Sequence, residues 1–228
     1  MQEALSATRK RLYPSVGNPS WLVLRKRREI FGQWVNRLPA GKLMVLDVGG
    51  RLQPYRELLD GRVRRYTSVD IRRTALVDVI ASGEQLPFIS ESFDLAICTQ
   101  VLEYVPEPQI MISEIRRVLR RGGTLILSVP AAHPRDAEEE CWSFYPAGIR
   151  KLLANYSEVE VVPEGGLITG FFRTINACLN IFARYKAVRS LFTFTVFPFF
   201  NVLGLCIENL AGSTNDQFAV NYSVLARK

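Results

Sequence analysis

The stretch that decides the fold is Leu43-Met44-Val45-Leu46-Asp47-Val48-Gly49-Gly50. Five of its first six residues are apolar and two glycines follow. That pattern is a buried parallel strand running straight into a tight turn. A second strand, Tyr66-Thr67-Ser68-Val69-Asp70, ends in an acid 23 positions after Asp47. A strand, a glycine turn, a short helix and a strand closing on an acid form the first unit of a nucleotide-binding α/β sheet. The turn lets a ligand approach the backbone, and the second acid accepts from ribose hydroxyls.

Upstream, Trp21, Leu22, Leu24, Ile30, Phe31, Trp34, Val35 and Leu38 recur at roughly helical spacing. They predict a helix over 19–37, stopped by Pro39-Ala40-Gly41, whose apolar side packs on the sheet or covers a ligand. Residues 1–18 are polar and read as poorly ordered. Downstream, 54–59 reads as a short helix, 75–81 as a short strand, 82–88 as a loop turning back over the sheet and 93–98 as a fourth strand. Residues 108–120 form an amphipathic helix with arginines crowded at its end, closed by Gly122-Gly123. Strands at 124–129, 159–162 and 218–226 and a helix at 146–155 complete the set. Alternation of strands and helices gives a doubly wound parallel sheet. Ligands then bind beyond the carboxyl ends of its strands, at Gly49, Asp70, Ser82, Thr99 and Pro130.

A chain of 228 residues is one domain, or one domain with an elaboration. We divide it into a basic N-terminal helical segment, 1–42, and an α/β domain, 43–228, with an apolar helical insertion over about 166–215. Cys98, Cys141, Cys178 and Cys206 have neither paired nor metal-ligand spacing, which predicts a reducing compartment and no metal. Residues 1–20 lack the apolar core of a signal peptide, so a cytoplasmic location is expected. Residues 1–42 hold nine Lys/Arg against two acids, which equals the whole net charge of +7. Such a segment meets anionic lipid or a phosphate-bearing substrate, or is a solvated helix face. No nucleic-acid-binding motif interleaves the charges, so nucleic acid is not an expected partner.

Ser190 to Ile207 is a run of 18 residues without a charge. It nears the minimum for a bilayer span, but a single span would leave its flanking strands on opposite sides of a membrane. Pro198 also interrupts it. Two readings remain: a helical hairpin in the membrane interface, bordered by Arg184, Lys186 and Arg189, or a buried lid or homodimer face.

Four stretches together resemble the class I S-adenosylmethionine-dependent methyltransferases of the type 11 family. They are Val45-Leu46-Asp47-Val48-Gly49, residues 66–70, Gly83-Glu84-Gln85-Leu86-Pro87-Phe88 with Ser92-Phe93-Asp94, and Gln100-Val101-Leu102-Glu103-Tyr104-Val105-Pro106. Glu114 to Leu119, Gly122-Gly123 and Ser128-Val129-Pro130 continue the likeness, which covers about 43–165 and returns at the last strand. The resemblance implies a Rossmann-like seven-stranded sheet with its last strand antiparallel, and S-adenosylmethionine as cofactor. Asp47 and the turn Gly49-Gly50 would meet its methionine part. Asp70, with Ile71 beside it, would hold the ribose, Ser82-Gly83-Glu84 would meet the adenine, and Gln100 would lie near the sulfonium. The family's second and third motif glycines are Arg51 and Gln53 here, and Ser82 replaces an acid. A side chain is strained where such a glycine takes positive φ.

Transfer to a hydroxyl needs a base within reach. His133, the one histidine, lies just past the fifth strand, at the ligand edge, and its ordinary pKa suits the role. Asp136 orients it or is itself the base; the alternative is a loop histidine that caps or binds water. Glu139, Glu140, Trp142, Phe144 and Tyr145 follow as an acidic and aromatic patch suited to packing a sugar ring. Glu103 reads equally as a supporting or a structural acid. The sequence therefore points to a methyltransferase acting on a sugar, lipid-linked glycan or related small molecule, peripheral to a membrane. The alternatives are a nicotinamide-dependent oxidoreductase, which lacks its Gly-x-Gly-x-x-Gly here, and a cofactor-free binding or scaffold protein.

Overall fold

The computed structural model describes residues 2–134, 137–211 and 215–228. Its strands are β1 (Leu43–Val48), β2 (Val63–Asp70), β3 (Val79–Ile80), β4 (Phe93–Thr99), β5 (Leu119–Pro130), β6 (Glu158–Pro163) and β7 (Asn221–Arg227). They form one seven-stranded sheet in the order β3-β2-β1-β4-β5-β7-β6. β1 to β5 pair in parallel, and β7 runs antiparallel to both β5 and β6. The order reverses between β1 and β4, which opens the crevice where such sheets bind ligands. The helices are α1 (Gln2–Leu12), α2 (Trp21–Asn36), α3 (Pro108–Val118), α4 (Pro146–Leu152), α5 (Leu167–Asn180), α6 (Lys186–Leu191) and α7 (Phe197–Ala211). A π-helical stretch, Phe192–Val196, joins α6 to α7.

The apolar runs of β1 and β4 do not alternate because both faces of the sheet are covered. On one face Leu46, Cys98, Leu125 and Leu127 pack with Met111, Ile112 and Ile115 of α3. On the other Val45, Leu95, Ile97 and Ile126 pack with Ile30, Phe31 and Trp34 of α2. The helix expected over 19–37 therefore packs on the sheet.

Three expectations need correction. Residues 2–18 are ordered: α1 forms there, and its Leu12 is buried in the same cluster as Phe31 and Trp34. Packing of one apolar side outweighs a polar sequence. The third strand is two residues rather than 75–81. Asp78 caps the turn before it, accepting the Ser68 N–H at 2.8 Å and donating its own N–H to the Ser68 hydroxyl at 3.0 Å. The fifth strand starts early, at Leu119, because the register slips from Phe93–Leu119 to Leu95–Thr124, and Gly122 turns the intervening residues at φ +73°. The arginines there are staples: Arg117 pairs with Glu114 at 2.7 Å and donates to the Phe88 carbonyl at 2.8 Å, and Arg120 meets Asp94 at 2.5 Å.

Candidate active site

The turn after β1 is shaped by one glycine and one glutamine. Gly49 has φ +77°, and a Cβ there would fall 2.2 Å from a Val101 methyl. The N–H of Gly49 and that of Gly50 both donate to the Val69 carbonyl, at 2.8 and 3.1 Å, which ties the turn to β2. Arg51 does not share the left-handed conformation; among described non-glycine residues only Gln53, Glu91 and Gln100 have positive φ. The strain expected of the missing glycines therefore falls on Gln53, at φ 51°. Its buried amide donates to the Leu76 carbonyl, and Arg56 donates to its oxygen at 3.1 Å. Gln100, at φ 54°, begins the loop after β4; its N–H donates to the Ser128 carbonyl at 2.9 Å and its amide to the Ser128 hydroxyl at 3.3 Å. Left-handed side chains cost about 1–2 kcal/mol each, and such strain collects at functional sites.

Asp47 is buried and accepts the Tyr66 hydroxyl at 2.6 Å. Burial pushes its carboxyl up to about 7; the Tyr66 bond opposes this and the Asp70 charge adds to it. At the end of β2, Asp70 accepts the Arg72 N–H at 2.8 Å through one oxygen, and Ile71 beside it is exposed. Ser82 accepts the Glu84 N–H at 3.2 Å, Glu84 accepts the Glu107 N–H at 3.3 Å, and Gly83 lies against Met111.

Asp47, Gly49, Gln100 and His133 line one cavity of about 570 Å³ over the ends of β1, β4 and β5. Asp70, Ile71, Ser82, Gly83 and Glu84 stand beside it, on the β2–β3 side, and Gly50 lies beneath the turn, outside the lining. Lys10 and Arg11 of α1, Arg27 of α2 and Arg173 of α5 also line the cavity. The basic N-terminal segment is therefore not one surface. Arg11 is held below its usual pKa, first by burial and then by the Arg27 charge. Arg27 is wholly buried and makes a two-pronged ion pair with Glu164, at 2.7 and 2.8 Å. Glu164 also accepts the hydroxyls of Ser128 at 2.6 Å and Ser223 at 2.7 Å and the Asn221 amide at 3.1 Å. Burial works against the Arg27 charge, but Glu164 and Tyr55 overcome it, so the guanidinium holds its proton more firmly than usual.

His133 Nε2 lies 3.3 Å from Glu140 Oε2, with both side chains sheltered. Its Nδ1 is 3.4 Å from the Ala131 carbonyl. Glu140 is thus the described carboxylate paired with His133; Asp136, expected to orient the ring or to be the base, lies outside the described residues. Glu103 is 2% exposed and lines the same cavity, and its Oε2 has no hydrogen-bond partner. Burial, more than any neighbouring charge, pushes its carboxyl up to about 7. The aromatic patch expected after His133 needs correction. Phe144 is buried in the core, and Trp142 and Tyr145 are exposed but do not line the cavity. Sequence reasoning missed the Arg27–Glu164 pair. The signal was there: Arg27 is four residues from Val23 and from Phe31, on the buried stripe of α2.

These residues suit S-adenosylmethionine. Asp70 has one carboxylate oxygen committed to the backbone and a second to offer hydroxyls, and the cavity sets carboxyls beside cations where a zwitterionic amino-acid group would sit. Comparison with known proteins agrees. Residues 46–127 match the methyltransferase domain family. An uncharacterized protein of Methanocaldococcus jannaschii is 33% identical over 40% of this chain and 46% of its own length. The ubiquinone biosynthesis O-methyltransferase of Hahella chejuensis is 37% identical over 30% of this chain and 26% of its own. The chain thus spans less than half the length of these relatives. The solved S-adenosylmethionine-dependent methyltransferase of Archaeoglobus fulgidus superposes with a TM-score of 0.53 at 13% identity, covering 88% of this chain and 94% of that one. The match makes residues 46–127 similar to a methyltransferase domain, and the chain shares the fold of the class I S-adenosylmethionine-dependent methyltransferases. S-adenosylmethionine is the cofactor of that class.

Proposed function

We propose that this protein transfers a methyl group to an oxygen of a sugar, lipid-linked glycan or related small molecule, at the cytoplasmic face of a membrane. The cofactor, when bound, supplies an electrophilic methyl on a sulfonium. The chain aligns the acceptor, shuts out water and takes the acceptor's proton. The observation that carries the reading is the sheltered His133–Glu140 pair, which opens on the same cavity as Gly49 and Gln100. His133 is the base and Glu140 holds its ring. A second reading makes Glu103 the base, favoured by its bare buried oxygen and its carboxyl near 7.

Calorimetric titration with S-adenosylmethionine tests the whole: a one-to-one heat is expected. No heat would leave the cofactor-free scaffold, and heat with a nicotinamide dinucleotide instead would leave the oxidoreductase. His133→Ala should lower turnover roughly 10²–10⁴-fold with cofactor affinity unchanged. If Glu103→Gln does this and His133→Ala does not, the base is Glu103.

A further inference from the structure

Nine of the eighteen exposed large apolar side chains among the described residues fall between Phe171 and Leu210. They belong to a hairpin of α5 against the continuous helix Val188–Ala211, which is long and apolar enough to cross a membrane, with a mean hydropathy of 1.8. Only 17% of that apolar window is buried, so it is not a core helix. Nor does it span. Glu208, at one end, accepts the N–H groups of Gly166 at 2.5 Å and Thr169 at 2.6 Å. Midway, buried Asn201 donates to the carbonyls of Val16 at 2.7 Å and Asn18 at 2.9 Å and accepts from Asn176 at 3.0 Å. The inner side of the helix is thus tied to the protein at its middle and at its end, and Phe197 and Gly204 are buried along it.

The outer side carries Leu191, Phe194, Phe199, Val202 and Leu210, a stripe about 28 Å long at helical rise. Phe171 and Phe182 extend the exposed apolar surface to α5 and the turn that follows it. The exposed Thr195 satisfies its own hydroxyl by donating to the Leu191 carbonyl at 2.6 Å. A polar group facing hydrocarbon must do the same. Charge decides what covers this side. From Leu167 to Ala211 there are four cations, Arg173, Arg184, Lys186 and Arg189, and one acid, Glu208, whose two oxygens are committed to the Gly166 and Thr169 N–H groups. A second copy docking by the same patch would bring cations and no uncommitted carboxylate to meet them. An anionic bilayer offers hydrocarbon to the stripe and phosphate to its cationic end.

We infer that the α5–α7 hairpin is a monotopic docking element, lying flat on an anionic lipid bilayer. Arg173 of its first helix lines the methyl-transfer cavity, so docking sets that cavity beside the lipid surface.

The test is sedimentation of the chain with vesicles of phosphatidylcholine containing phosphatidylglycerol, and of phosphatidylcholine alone. Binding to the anionic vesicles, weakened by salt and much weaker on neutral ones, is expected. Phe194→Ser with Phe199→Ser, both at exposed positions, should lower vesicle affinity roughly tenfold or more at unchanged melting temperature. Replacing Arg184, Lys186 and Arg189 by Gln should lower binding to anionic vesicles on the order of a hundredfold. Absence of wild-type binding to either vesicle overturns the inference. So does a lipid-free dimer that the two serines convert to a monomer without any change in vesicle binding.

Discussion

The two ends of the sheet's carboxyl edge are built differently. On the β1–β2–β3 side the polar groups satisfy one another within a short span of chain: Asp47 with Tyr66, Ser68 with Asp78, Gln53 with Leu76. On the β5–β7–β6 side the polar groups come from the whole chain, Arg27 meeting Glu164, Ser128 and Ser223 closing on the same carboxylate. Each end holds a buried carboxyl pushed up to about 7, but Asp47 has a hydroxyl donor and Glu103 Oε2 has none. One end is a finished local unit. The other is a long-range assembly with an unsatisfied acid facing the cavity.

The sharpest break of this contrast is Arg27→Ala. It leaves the Glu164 carboxylate buried among hydroxyls with no counter-charge, and should cost about 3–5 kcal/mol in urea unfolding. Arg27→Met with Glu164→Gln should recover much of that loss, because a neutral amide oxygen still accepts from Ser128 and Ser223. If the single change costs less than about 1 kcal/mol, the pair does not hold this end together.

Glu103 gives the next effect, and it depends on pH. Its carboxyl moves from 4.5 to about 7 on folding. Between those values the folded chain holds a proton that the unfolded chain releases, so stability falls as pH rises through the window. The cost is complete above about pH 7 and amounts to about 3 kcal/mol at most. Glu103→Gln should therefore be more stable than the parent at pH 8 and converge with it near pH 4. The difference between two unfolding curves isolates Glu103, because Asp47 titrates in both. Curves that stay parallel would show that Glu103 is not pushed up.

At the other end, Asp70→Ala should weaken S-adenosylmethionine by about 1–3 kcal/mol, the scale of a charged acceptor bonded to hydroxyls. Calorimetry reads it, and unchanged affinity in a folded variant would move the ribose site. That end was the legible one. An apolar run closing on Gly49, an acid at Asp70 and a loop at Ser82 are neighbours in sequence, so pattern and spacing expose them. Glu103 and Glu140 were visible only as acids near the right loops, since the burial of one and the pairing of the other with His133 depend on how far the chain after β5 folds back. Asp78 was hidden within an apparent strand, and α1 within a polar segment where the buried Leu12 alone gives no periodic signal. The Arg27–Glu164 pair joins residues 137 apart, which no local pattern can connect.

The smallest effect belongs to Gln53, where the turn departs from the family's glycine. Gln53→Gly removes a side chain from φ 51°, which should gain about 1 kcal/mol. It also removes the amide bond to the Leu76 carbonyl and the acceptor of Arg56, worth roughly 0.5–1.5 kcal/mol each. The Leu76 carbonyl is not orphaned, because the Ser68 hydroxyl still donates to it at 2.6 Å. Arg56 is exposed and finds water. The terms nearly cancel, so stability should change by less than about 1 kcal/mol in either direction. Cofactor affinity should not move, since Gln53 does not line the cavity. A stability loss above about 2 kcal/mol would make Gln53 a structural tie between the β1 turn and the loop before β3. A change in affinity alone would instead show that the turn's left-handed geometry at Gln53 shapes the neighbouring cofactor site on the same end of the sheet.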